Sequence, residues 1–211
     1  MKARSLRELT PLDVQLEDGL AVRLRPIQPG DTERVQRALA LLSESSFRKR
    51  FSQISANHDL AEYLSNTANE QQVTWLAMDA QNQDAPGFGG ASLWLDLEAD
   101  RQAEASFTVA DAWHRKGFAT LLFSILWIEG WNLGLRRIVG YARPSNAAIQ
   151  GWWTALGGTV SHSPSLVQMN FEMVSPEEVI QKVGYDLHAS PRQYEFADWL
   201  QHWMNLLDEA S

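Results

Sequence analysis

The segment from Gly117 to Trp131 is apolar on nearly every side of a helix, and that feature limits the folds open to this chain. A helix with one apolar stripe can lie on a surface, whereas one without a polar face must be covered all round. The stretch from Phe118 to Leu135 also holds Glu129, Asn132 and two glycines, so it falls short of the ~18 consecutive apolar residues of a membrane span. It therefore reads as the buried helix of a layered fold. With 211 residues, 45% of them apolar, the chain can build one sizeable core but not two full catalytic domains.

Strands and helices can be placed around that helix from periodicity and turn chemistry. Alternating Leu12, Val14, Leu16 and Leu20, Val22, Leu24 flank Asp18-Gly19, which predicts a hairpin whose Asp-Gly pair takes positive φ angles. Asp31 is placed to cap a helix with Val35, Ala38, Leu39 and Leu42 on one stripe. The basic stretch Phe47 to Phe51 leads to a short helix from Asp59 to Leu64. Strands are expected over Gln71 to Met78, Phe88 to Asp96, Ala103 to Val109 and Arg136 to Tyr141. Ser145 or Asn146 can cap a helix carrying Ile149, Trp152, Trp153 and Leu156, which Gly157-Gly158 ends. Two last strands, around Thr159 and over Leu166 to Val174, precede a helix announced by Ser175-Pro176-Glu177-Glu178. A final helix sets Phe196, Trp199, Leu200, Trp203, Met204 and Leu207 on one face.

Charge and cysteine content remove whole classes of function. A formal net charge of −8 and a sequence pI near 5.1 argue against a nucleic-acid partner, since phosphate neutralisation needs clustered Lys and Arg. With no cysteine there is no disulfide framework, no thiolate zinc site and no Cys acyl-enzyme. Met1 to Glu8 carry no apolar run like that of a secretory signal. The expectation is a cytoplasmic protein without a membrane partner.

The run Val109-Ala-Asp-Ala-Trp113-His114-Arg115-Lys116-Gly117-Phe118-Ala119-Thr120 passes from a strand directly into the buried helix. The first turn of a helix has unpaired N–H groups and about half a positive charge, so backbone alone can hold a phosphate there. Gly117 removes a Cβ that would keep an anion away, and Ala119 keeps the next turn small. An ordinary helix entry with solvated Arg115 and Lys116 accounts equally well for these residues alone. Gly-x-x-x-x-Gly-Lys-Ser/Thr is absent, and Gly87-Phe-Gly-Gly90 lacks the setting of a dinucleotide fingerprint.

The six residues His114-Arg115-Lys116-Gly117-Phe118-Ala119 resemble the Gln/Arg-x-x-Gly-x-Gly/Ala motif of the GNAT acetyltransferase superfamily, with His114 in place of Gln or Arg. Asn146-Ala-Ala-Ile149 followed by Leu156-Gly157-Gly158 resembles that family's Asn-x-x-aliphatic helix ending in Leu-Gly-Phe, with Gly158 in place of the aromatic residue. Arg23-Leu-Arg-Pro-Ile27, Gly30-Asp31, Leu42-Ser-Glu-Ser45 and Arg50-Phe51 resemble the entry of GNAT domains in bacterial protein-lysine acetyltransferases. The resemblance implies an α+β GNAT fold, a mixed twisted sheet with helices on both faces. It divides the chain into an N-terminal extension over 1–19, an acyltransferase domain over 20–174 and a helical C-terminal extension over 175–211. It further implies acetyl-CoA as cosubstrate, in contact with Phe107, Val109, His114, Arg115, Lys116, Gly117, Phe118, Ala119, Thr120 and Asn146. Asn146 can serve as N-cap as well.

Presenting a lysine-like amine of pKa ~10.4 in its neutral form at pH 7 costs about 4.6 kcal/mol, so direct attack on a thioester in a ternary complex calls for a positioned base. Alternation sets Glu104, Ser106 and Thr108 on the strand face opposite Ala103, Ala105, Phe107 and Val109. Glu104 is the leading base, as the resemblance also implies, and a solvated carboxylate near Arg101 is the plainer account. Where other GNAT enzymes have a Tyr acid this chain has Trp153, and Tyr141 is the substitute on the preceding strand. No metal is expected: His58 and Glu62 share i,i+4 spacing, but two ligands are too few. A hydrolase is disfavoured because no Gly-x-Ser-x-Gly elbow occurs. The expected activity is acetyl transfer to a primary amine, a protein lysine or a small molecule such as a polyamine. A non-catalytic acyl-CoA-binding module is the alternative. The aromatic tail packs onto the domain, makes a homodimer contact or covers the acceptor cleft.

Overall fold

The computed structural model of the chain describes residues 5–51, 58–66, 71–96 and 101–210, and the all-apolar helix stands at its centre. This helix, α4 (Phe118–Asn132), is buried without a break from Thr120 to Gly130. It lies between a sheet on one side and the last helix of the chain on the other. That sandwich is why its residues need no polar face.

The sheet has eight strands in the order β1-β2-β3-β4-β5-β6-β8-β7. They are β1 (Leu12–Gln15), β2 (Ala21–Pro26), β3 (Gln72–Asp79), β4 (Gly89–Asp96), β5 (Gln102–Val109), β6 (Arg137–Ala142), β7 (Thr159–His162) and β8 (Val167–Glu172). Every neighbouring pair is antiparallel except β5 with β6. The β1–β2 hairpin forms as its alternation predicts, pairing Leu12 with Leu24 and Val14 with Val22. Its turn differs in one detail. Gly19 alone takes positive φ, at 83°, while Asp18 accepts a hydrogen bond from the Leu20 N–H at 3.2 Å.

Direct partners Thr74, Ser92 and Ser106 put small hydroxyls on one face of β3, β4 and β5. Helices α1 (Thr32–Leu39), α2 (Glu44–Arg50) and α3 (His58–Leu64) cover that face, around their own core of Val35, Leu39, Phe51, Leu60 and Ala61. Helix α2 goes beyond the sequence reading, which saw only a basic stretch there. Asp31 does not cap α1 with its side chain. Its carboxylate accepts instead from Arg25 at 2.6 and 2.7 Å and from the Gln28 N–H at 2.7 Å, because a guanidinium fork outcompetes a single amide.

The opposite face carries α4, α5 (Ala147–Ala155), α6 (Pro176–Tyr185) and α7 (Pro191–Glu209). The sheet is thus mixed, with helices on both faces, and the architecture is α+β. Ser175 caps α6, and Ser190 with Gln193 forms a capping box at the start of α7, each satisfying helix N–H groups that α4 does not cover. Phe196, Leu200 and Trp203 of α7 are buried, and the Trp203 indole donates to Ser124 Oγ of α4 at 2.7 Å. Phe196, Leu200 and Trp203 of the aromatic face are therefore used inside the chain, while Trp199, Met204 and Leu207 stay partly exposed.

Candidate active site

The sheet opens between β5 and β6. Their parallel ladder covers only Gln102 to Glu104 against Arg137 to Val139, although β5 runs on to Val109 and β6 to Ala142. Backbone groups of both strands face a wedge beyond Glu104 instead of each other. Unpaired strand edges of this kind offer a ligand the hydrogen bonds of an added strand.

At the wide end of the wedge, β5 continues into a short 3₁₀ turn (Asp111–Trp113) and then α4. Gly117 is the N-cap of α4, with φ 84°, and Arg115 also adopts positive φ, at 63°. A Cβ at Gly117 would stand 2.7 Å from Glu195 Oε1 of α7. The Glu195 carboxylate thus fills the space a side chain at residue 117 would need, and it stands beside the first N–H groups of α4, which are of the kind that hold an anion.

Several residues expected at the cofactor have side chains engaged elsewhere in the chain. Phe118 is 1% exposed and packs against Phe88 and Trp113. Thr120 is fully buried, its Oγ1 accepting from the Trp152 indole at 3.2 Å. Lys116 pairs with Asp18 at 3.2 Å and lies over the Trp113 ring, so part of its charge is already compensated. His114, the departure from the family pattern, turns its Nε2 back onto the Val109 carbonyl at 2.8 Å and braces the strand-to-helix turn. Arg115 and Ala119 keep accessible surface. Phe107 meets Trp152 and Phe123 edge-on at 5.2 and 5.8 Å and lines the α5 side of the opening. Asn146 starts α5 without a side-chain capping bond, so its amide is free of the N-cap role.

Glu104 sits in the last rung before the strands part, opposite Val139. By strand alternation its side chain shares a face with Ser106, Thr108, Val139 and Tyr141. Removal of solvent pushes its carboxyl above the ordinary range, and the positive charge of Arg50 works against that rise. Arg50, from the end of α2, lines a cavity of about 70 Å³ with Thr74, Ser92, Ser106 and Thr108. Trp94 donates to Ser106 Oγ at 3.4 Å and stacks on Tyr63 of α3 at 5.3 Å. Arg101, the alternative partner considered for Glu104, lies instead near Gly134. Trp153 is 1% exposed, with no partner for its indole N–H, and takes no part in the opening. Tyr141 is exposed on the Glu104 face. The side chain of His58 lies outside the described residues, and among these no group of three or more His, Cys, Asp or Glu gathers as a metal site.

The sequence model of the acetyltransferase (GNAT) domain matches residues 21–159. The chain belongs to the GNAT acetyltransferase family. Its GNAT domain is 25% identical over 150 residues to the acetyltransferase Pat of Mycolicibacterium smegmatis, a match that takes in 71% of this chain and 44% of that protein. The chain thus spans less than half the length of that relative. Among solved structures, the GNAT domain of S. lividans PAT superposes with a TM-score of 0.66 at 21% identity, over 76% of this chain and 96% of that one. Spermidine N-acetyltransferase from Vibrio cholerae, in complex with CoA and spermine, superposes at 0.60 with 17% identity, over 72% and 95%. These structural likenesses concern the fold. No helix among the described residues is long and apolar enough to cross a membrane.

Two residues beside the candidate site were not among those expected there from the sequence. Glu195 enters from an extension that lies outside the family match, and nothing in its helix pattern announces a contact with Gly117. Arg50 was legible as part of a basic stretch, but its position opposite Glu104 depends on how α2 crosses the sheet.

Proposed function

We propose that this protein transfers an acetyl group from acetyl-CoA to a primary amine by direct attack, with Glu104 as general base. The observation that carries the reading is the place of Glu104 at the apex of the β5–β6 wedge, with the Gly117 cradle at the wedge's open end. Bound acetyl-CoA supplies the acetyl group as an activated thioester. The N–H groups at the start of α4 hold its pyrophosphate, Phe107 and Asn146 flank its arm, and the free edge of β5 aligns it. A β5 N–H beyond Glu104 stabilises negative charge developing on the thioester oxygen.

The acceptor enters from the α1–α3 side, where Glu104 opens to solvent. A carboxyl whose affinity for protons is raised by burial accepts the ammonium proton more readily than an ordinary glutamate. Removal of that proton costs ~4.6 kcal/mol at neutral pH, and a positioned base lets it occur within the complex as the amine attacks. Tyr141, on the same face, is the candidate to return a proton to the leaving thiolate. A protein lysine is the acceptor favoured by likeness to Pat, and a small amine is the rival.

The test is acetyl transfer to a broad panel of amines by wild type and Glu104→Gln, with acetyl-CoA affinity measured in parallel. Turnover should fall ~10²- to 10⁴-fold with affinity unchanged. Full activity in the variant sinks the base assignment. Tight acetyl-CoA binding without turnover on any amine sinks the enzyme reading and favours a non-catalytic acyl-CoA-binding module.

A further inference from the structure

The cavity beside Glu104 contains a charge that the transfer chemistry above does not use. Arg50 reaches it from the last turn of α2, and its Nε–H is enclosed with no hydrogen-bond partner. An unmade bond on a buried, permanently charged guanidinium is costly, and arginine is suited to binding carboxylates. Around it the cavity presents the hydroxyls of Thr74, Ser92, Ser106 and Thr108, the backbone from Gly87 to Gly90, and apolar side chains of α1 and α3. Thr74 and Ser92 already bond each other at 2.8 Å. The pocket lining therefore includes a guanidinium with an unmade hydrogen bond, on which the negative charge of Glu104 acts from nearby.

We propose that this cavity selects amine acceptors that also carry a carboxylate: Arg50 binds the carboxylate while the amine is presented to Glu104. The inference rests on the acetyltransfer reading for the role of Glu104, and narrows its acceptor. Glu104 and Arg50 share one side of the sheet and interact electrostatically without pairing in a salt bridge, which makes the site a dipole. A zwitterionic acceptor fits that dipole with both ends matched. A polyamine places a second ammonium against Arg50 and is disfavoured, although a structural neighbour was solved with spermine. A cavity of about 70 Å³ has room for a carboxylate and little else. The group can come from a free amino acid or from an acidic side chain beside a target lysine, because the recognised chemistry is the same.

Acceptor pairs that differ only in the carboxylate test this directly. Lysine against cadaverine and ornithine against putrescine form one arm; lysine peptides with a neighbouring Glu or Gln form the other. For each pair, binding to the CoA-loaded protein is measured by calorimetry and acetyl transfer by kcat/KM. Wild type should favour one carboxylate-bearing set by ~10- to 100-fold, the range of a charge-assisted hydrogen bond. Arg50→Gln should reduce that preference to about unity, and Arg50→Lys should keep part of it. Preference in the free amino acid arm identifies a small-molecule acceptor, and preference in the peptide arm identifies a protein lysine. Equal binding of both members of every pair by wild type, no binding of any, or equal weakening of both members in Arg50→Gln overturns the inference. A carboxylate preference in binding without transfer leaves the cavity assignment standing and removes the enzyme reading instead.

Discussion

Replacing Gly117 with alanine separates the cradle from its surroundings, because the structure contains its own control. Gly117 and Gly30 both hold positive φ, at 84° and 94°. A side chain in that conformation costs about 1–2 kcal/mol, and each 1 kcal/mol shifts Tm by ~2–4 °C in a protein of this size. Both Gly117→Ala and Gly30→Ala should then lower Tm by ~2–8 °C. The two differ in what the new methyl meets. At Gly30 nothing lies within 4 Å, whereas at Gly117 it stands 2.7 Å from Glu195 Oε1. That atom ends a flexible side chain, so Glu195 can swing aside, and Gly117→Ala/Glu195→Ala removes the clash altogether. What no relaxation removes is the methyl at the mouth of the α4 N–H groups. Calorimetric titration with CoA should show Gly117→Ala binding at least tenfold more weakly, a loss of ~1.4 kcal/mol, with Gly30→Ala unchanged and the double variant at least tenfold weaker than Glu195→Ala alone. Wild-type affinity in Gly117→Ala would place the pyrophosphate elsewhere and refute the cradle.

Three further outcomes follow from groups around the site and the tail. Glu195 packs on Gly117, its carboxyl raised chiefly by burial and further by Glu17 against the pull of Arg192; Glu195→Gln removes a negative charge beside the phosphate site and should tighten CoA ~3- to 10-fold in low salt, as titration at two ionic strengths will show. Glu104 must be ionised to accept a proton, so activity should fall as pH drops through its raised pKa; because Arg50 holds that pKa down, Arg50→Gln should move the acid limb of kcat/KM to higher pH, and an unmoved or lowered limb contradicts the coupling. Trp203 is fully buried, so Trp203→Ala should cost about 3–5 kcal/mol and ~6–20 °C in Tm, and deletion of 175–211 should leave a remnant that does not fold; a cooperative, wild-type melt for either would show that α7 merely rests on the domain.

The fold was legible where one physical demand dominates a segment. An all-apolar helix must be central, and α4 is; alternation around Asp18-Gly19 must make a hairpin, and it does. Helix α2 was missed because Glu44 to Arg50 offer almost no apolar stripe, and the helix is held by its Ser43 cap and by Phe47 against Phe51. The capping of α1 was misread because Asp31 has a better partner in Arg25, six residues away in sequence but on a strand. For the candidate site, the sequence marked Gly117 as the helix entry, and the structure has it as the N-cap of α4 with positive φ, because a strand-to-helix turn is encoded in its own few residues. Arg50 facing Glu104 and Glu195 touching Gly117 are products of packing between distant elements, and no spacing encodes them.

The departures from the GNAT pattern that favoured a non-catalytic module lose most of that force once the packing is considered. Trp153 stands where other members have a Tyr acid, and Gly158 where they have an aromatic ring. A Cβ at Gly158 would lie 2.3 Å from Trp153 Cδ1 and 2.8 Å from Phe171 Cζ, and one at Gly140 would lie 2.9 Å from Trp153 Cζ3. The indole thus fills the space on both sides, and its tilted contact with Phe171 at 4.8 Å supplies aromatic volume from another position. The two substitutions are one exchange within the core, conserving volume where cavities and overpacking are both costly. His114 is likewise explained by its bond to Val109, which braces the turn without touching the N–H groups of α4. None of the three disturbs the wedge, the cradle or Glu104. They leave the acceptor side intact and no Tyr on the α5 side, so on the proposed reading the protonation of the leaving group is the step this chain meets differently from the family pattern.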